Sequence, residues 1–247
     1  RMRDYLSILA IVLLLLIASI FIFQLIPRHY VLTISGGNIL SQRHLLVKLL
    51  QDEGERRHLA LRIVPSHGSL DALEQVNDGK MDVALVQGGI DAKYPNVVHV
   101  ATISPELIHF LVKPGINEIK DFKGKSINMG ESMGGTRVVA HQILSYSGLT
   151  ANADYAEKNY SDEDLVGMRP ELLPDIIVSV SYAPSDLADF LVKKRGYHLV
   201  EMPFPPSLAK RLGWVADTKI LGYMYSIVPP VPHGGSPAHC AGRPVHP

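Results

Sequence analysis

The chain has 247 residues, room for one large domain or two small ones. Its 24 basic and 24 acidic residues cancel, so it carries no basic footprint for nucleic acid, and no nucleic-acid partner is expected. The lone cysteine, Cys240, excludes an intrachain disulfide and leaves the redox compartment open.

Tyr5 to Ile26 reads YLSILAIVLLLLIASIFIFQLI, without a charge. As a helix rising about 1.5 Å per residue, this run matches the roughly 30 Å hydrocarbon core of a bilayer. It is longer than the apolar part of a secretory signal peptide, and Phe21 to Ile26 offers no small-x-small cleavage site. The expectation is an uncleaved, single-pass transmembrane anchor over residues 1–28. Arg1 and Arg3, against Asp4 alone, place the N-terminus in the cytoplasm and everything after Pro27 on the extracytoplasmic (periplasmic) side.

After the anchor, HYVLTISGG (His29 to Gly37) predicts a β-branched strand ending in glycines. SQRHLLVKLLQDEG predicts a helix with Leu45, Leu46, Leu49 and Leu50 on its apolar stripe and Gly54 as its stop. LALRIVPSHGS alternates as a second strand, and SLDALEQVNDGK is a short helix capped by Ser69. MDVALVQGG and VVHVATI are apolar runs of strand length. Strands alternating with helices imply a parallel, doubly wound α/β sheet.

The rhythm then restarts. ELIHFLVKPG leads out, INEIKDFKGK is a polar helical turn, and SINMG is a strand running into the glycine-rich GESMGGT. GTRVVAHQILSYSGL is a helix, PDIIVSVSY a strand, PSDLADFLVKKRG a helix and YHLVEM a strand. Two units of similar plan imply two lobes, 29–110 and 111–202, with a cleft between them. Residues 203–228 are expected to return toward the first lobe, with ILGYMYSIV (Ile220 to Val228) as the crossing strand. The Pro/Gly/His-rich segment 229–247 has no periodicity and reads as a disordered tail, a truncated or frame-shifted end.

Ligands of open α/β sheets sit beyond the carboxyl ends of strands. Those ends carry SGGN, PSHGS, QGG, GESMGGT and SYAPS, which makes Gly36, Gly37, Asn38, Ser66, His67, Gln87, Gly88 and Tyr182 candidate ligand contacts. Ser132, Met133, Gly134, Gly135 and Thr136 join them, at the start of a helix whose free N–H groups and dipole suit an anion. A plain turn that uses glycine for its backbone freedom explains the same loop. The loop is not a P-loop, because Thr136 and Arg137 stand where a lysine and a hydroxyl are required. Arg137 itself opposes the helix dipole unless an anion lies near it.

Catalysis is not expected, since no G-x-S-x-G elbow occurs and Ser132 is one place off the pattern. Nor is a metal or cofactor: the 11 histidines show no H-E-x-x-H and no zinc-finger spacing. His233, His239, Cys240 and His246 cluster only in the tail, and His109 and His141 lie on apolar stripes.

The ordered stretches TISGGN, GSLDALEQVNDGKMDVALVQGG, SPELIHFLV and INEIKDFKGKSINMGESMGGT, within Val31 to Pro230, resemble the TAXI-type solute receptors of TRAP transporters. The resemblance implies the two-lobed type II periplasmic-binding-protein fold and a small carboxylate ligand, an amino acid or a dicarboxylate. It implies TRAP-type membrane subunits as partners, with a ligand-sensing or structural ectodomain as the alternative. NILSQRH departs from the family's pattern after the first glycine pair, and the tail stands where such receptors run on for further elements.

Overall fold

The computed structural model describes residues 2–25, 30–90, 93–220, 224–225 and 236–241. Helix α1 covers Met2–Leu25, and its large apolar side chains are exposed wherever they are described, from Leu9 to Phe23. Among the described residues no helix is long and apolar enough to cross a membrane. Part of the expected span, including Ile26, lies outside them.

The first lobe is a three-stranded parallel sheet, order β2-β1-β3, built from β1 (Tyr30–Ser35), β2 (Leu59–Ile63) and β3 (Val83–Ala84). Helices α2 (Gln42–Arg56) and α3 (Ser69–Asn77) supply the crossovers. The Ser41 hydroxyl caps α2 by accepting the His44 N–H at 3.1 Å. This helix is turned from the orientation the leucine stripe suggests: His44, Val47 and Gly54 are buried, while Leu45 and Leu49 stand exposed. Gly54 is not a stop but a contact, since a Cβ there would lie 2.7 Å from the Leu59 carbonyl oxygen of β2. The lobe's core is small, with Ile34, Val47 and Leu61 at its centre.

VVHVATI forms no strand; Val98 and Val100 are 80% and 87% exposed. Its β-branched residues fit a pleated surface, but a strand needs a partner, and among the described residues the run has no ladder.

The second lobe begins with β4 (Glu106–Val112), ahead of the boundary expected at residue 111. It continues through β5 (Ser126–Asn128), α4 (Gly135–Tyr146), β6 (Ala156–Lys158), α5 (Asp162–Gly167), β7 (Ile176–Ser181) and α6 (Asp186–Arg195). Then follow β8 (His198–Leu199), α7 (Pro206–Leu212), β9 (Val215–Ile220) and β10 (Ser236–Ala241). The order is β6-β5-β7-β4-β10-β9, with β8 also on β4. Strand β7 is buried at every position, its Ile and Val residues lying between one core around Phe110, Phe122 and Ile127 and another around Leu111, Ile177 and Leu191.

Two expectations are corrected here. The segment expected to return to the first lobe joins the second instead: β9 pairs with β10, and Tyr225 is buried in the second lobe's core. The tail expected to be disordered contributes β10, which runs antiparallel between β4 and β9 and so carries β9 into the sheet. Of Ile220 to Val228, all but Ile220, Met224 and Tyr225 lie outside the described residues, as does the rest of the tail.

Candidate functional site

The carboxyl ends of β1 and β2 face the turns after β5 and β7 across a cavity of about 110 Å³ between the lobes. From the first lobe come the β1–α2 turn with Gly37, Asn38 and Ser41, then Arg43 on the first turn of α2, and Gly68. From the second come Glu106 at the head of β4, the Gly130–Thr136 loop, Ser161 and Asp162, and the Ser179–Ser181 and Ser185–Leu187 segments.

Of the residues singled out from sequence, Gly37, Asn38, Gly134, Gly135 and Thr136 line this cavity. The others do not. Gly36 lies under α2, where a Cβ would sit 2.5 Å from the Arg43 carbonyl oxygen. Ser66 is buried against Ser35, oxygen to oxygen 2.9 Å. His67 is exposed, and its backbone N–H donates to Asp71. Gly88 and Ser132 are exposed, and Met133 lends its carbonyl to the Leu70 N–H. Tyr182 is half-buried and accepts a hydrogen bond from Ser104 at 2.7 Å. Gln87 is 1% exposed, sits behind the loop, and accepts the Thr136 hydroxyl at 3.2 Å.

The anion that Arg137 calls for is Glu157 on β6, 2.6 Å from its Nε. Burial works to raise the Glu157 carboxyl, but bonds from Arg137 and Asn159 hold it below the ordinary carboxylate range. The arginine therefore ties α4 to its own sheet.

Sequence reading missed the cavity's charged members. Arg43 donates to Glu106 at 2.5 Å, across the lobes, with both side chains largely buried. Burial pushes the Glu106 carboxyl up, and Arg43 partly offsets it. Asp162 is pushed up to about 6 by burial and then by Glu163 and Glu131, against the pull of Arg43. Burial likewise raises Glu131. The signal for Glu106 was in ELIHFLV: a charge opening an otherwise apolar buried strand requires a partner.

Ser179, Ser181 and Ser185 add a wall of hydroxyls. Ser181 is 9% exposed, and among the described residues its Oγ has no hydrogen-bond partner. The Arg43 Nε is buried in the same condition. Behind the wall, His109 and Tyr225 meet at 2.6 Å, and the Tyr225 oxygen accepts the Ser185 N–H at 2.9 Å. Since His109 Nδ1 faces the Leu107 carbonyl, its Nε2 is the acceptor for the tyrosine hydroxyl. Burial lowers His109 to about 4, so it stays neutral.

Among the described residues the lining holds no histidine, lysine or cysteine, and no group of side chains is placed to hold a metal ion. The arrangement is equipped to bind. One guanidinium, several hydroxyls and a rim of carboxylates enclose a volume suited to a small polar molecule.

The fold is that of periplasmic-binding-protein-like structures. The chain superposes on the effector binding domain of QuiR in complex with shikimate with a TM-score of 0.53 at 9% identity, covering 89% of this chain and 90% of that one. An ancestral arginine-binding protein bound to glutamine gives 0.51 at 12% identity, over 89% and 86%. The alkanesulfonate-binding protein SsuA from Xanthomonas axonopodis pv. citri, bound to MOPS, gives 0.50 at 17% identity over 68% of this chain, which spans 59% of its length. No curated protein sequence matches the chain. The family model that does match, described as NMT1-like, takes in residues 44–168, just over half of the sequence. The chain belongs to the NMT1-like family.

Proposed function

We propose that this chain is a non-catalytic, extracytoplasmic solute receptor that captures a small carboxylate-bearing molecule between its lobes for TRAP-type uptake. The observation that carries the reading is Arg43, a largely buried guanidinium on the wall of a cavity lined by hydroxyls. A carboxylate bound in the cavity gains a charge-assisted bond from that guanidinium. The acid-rich rim favours, of the two ligand types, an amino acid over a dicarboxylate, because an ammonium group is attracted where a second carboxylate is repelled. The charge-free apolar run from Tyr5 to Ile26 supports an anchor, being of the length a bilayer's hydrocarbon core requires.

A sensing ectodomain is the second reading, favoured by the likeness to an effector binding domain over 89% of the chain. A thermal-shift screen of the full chain in detergent, against the common amino acids and the C4 to C6 dicarboxylates, tests the capture step. A ligand at a hundredfold excess over its Kd stabilises the binding fold by about 2.7 kcal/mol. Stabilisation by an amino acid supports the reading, and a flat response across both classes contradicts it.

A further inference from the structure

The lobes touch along a line of contacts beside the cavity that ligand binding alone does not explain. Leu70 occupies the first turn of α3, where a helix offers its N–H groups no internal acceptor. Its N–H donates instead across the lobes, to the Met133 carbonyl at 3.0 Å. Next to it, a Cβ on Gly68 would lie 2.7 Å from the Gly134 Cα, so two glycines bring backbone onto backbone. One residue further, a Cβ on Gly135 would lie 2.7 Å from the Gln87 Cβ and 3.1 Å from the Ser69 Oγ. Gln87 holds the Thr136 hydroxyl, and Gln142, two turns along α4, donates to the Gly89 carbonyl at 3.2 Å. Gly89 in turn lies flat against Trp214, where a Cβ would come within 2.7 Å of the indole.

We propose that this run is a lobe-closure seam, and that Gly135, Gly68 and Gln87 are positioning residues whose task is to let the lobes shut around the ligand. Gly135 is thus selected by the opposite lobe rather than by an anion. Its φ is not positive, so its backbone does not require glycine, and it stands at the first position of α4, where alanine is the better helix former. Only the approach of Gln87 and Ser69 forbids a side chain. Thr136 lines the cavity and is bonded to Gln87, so the seam and the ligand share a residue.

This inference rests on the capture of a ligand between the lobes, but its test needs no ligand. Amide hydrogen exchange on the full chain in detergent reads the Leu70 N–H, which is protected only while the seam is shut, against Phe110 and Val178 in the β4–β7 ladder. In Gly135→Val the Leu70 amide is expected to exchange at least about tenfold faster with the ladder amides unchanged. Gln142→Ala, which deletes one part-buried bond between the lobes, should accelerate Leu70 by roughly fivefold. Unchanged protection of Leu70 in both variants overturns the proposal. So does equal acceleration of Leu70 and the ladder in Gln142→Ala, which would make these contacts part of the second lobe's own folding.

Discussion

Arg43→Met is the substitution from which the site's energetics can be read. Glu106 is 5% exposed, and its carboxylate meets Arg43 at 2.5 Å. Methionine keeps the length of the side chain and removes the charge, leaving a carboxylate buried without its partner. Breaking a buried pair in this way costs about 3–5 kcal/mol, and the low end applies here because Arg43 keeps some contact with solvent. For a chain of this size, about 3 kcal/mol lowers Tm by roughly 6–12 °C.

The loss should depend on pH. Burial already raises the Glu106 carboxyl, and removing Arg43 raises it further. A carboxyl whose folded pKa lies above its unfolded value holds its proton more tightly in the folded state. Its penalty is therefore absent below the unfolded pKa and grows as pH rises toward the folded one. Thermal unfolding of Arg43→Met at pH 7.5 and pH 4.5 should show a large deficit at the first and a small one at the second. The double variant Arg43→Met/Glu106→Gln should recover most of the loss at pH 7.5. A deficit independent of pH, or a double variant as unstable as the single, refutes the reasoning.

Asp162 sits high, at about 6, through burial and its acidic neighbours, so the folded chain loses stability as pH rises from about 4 to 6. Asp162→Asn should remove that slope and stabilise the chain at pH 7 by about 1–2 kcal/mol, allowing for partial exposure, as measured by urea unfolding. Tyr225→Phe strips the hydroxyl from both His109 and the Ser185 N–H, and should cost about 1–3 kcal/mol in the same assay. Carbonate extraction should leave the full chain in the membrane fraction, and release of an intact soluble chain would remove the proposed anchor.

The strands β1, β2 and β7 were legible because their apolar or alternating runs are bounded by glycine, proline or charge, whereas the run that forms β4 was read only as leading out of the first unit. Strand β10 was not, since Ser-Pro-Ala-His-Cys-Ala has little strand character of its own and is held by ladders on both sides. The reverse holds for VVHVATI, which has the composition of a strand and no partner among the described residues. At the site, the glycine-rich turns announced where the lobes meet, because a close backbone approach leaves a local mark in sequence. The charges did not. Arg43 stands 63 positions from Glu106 and looks like any surface residue until the fold brings the two together, so the charge at the head of ELIHFLV pointed to a missing partner without naming it. Ser179 and Ser181 were hidden in the same way, as alternate positions of a strand read for its apolar residues.

Titration calorimetry of the full chain in detergent, with amino acids and C4 to C6 dicarboxylates injected into wild type and Arg43→Met, tests the central claim most directly. The account predicts one site per chain for an amino acid, with Arg43→Met weakening it at least about tenfold through loss of a charge-assisted bond. Equal affinity in the two proteins, or no binding by either class, contradicts it.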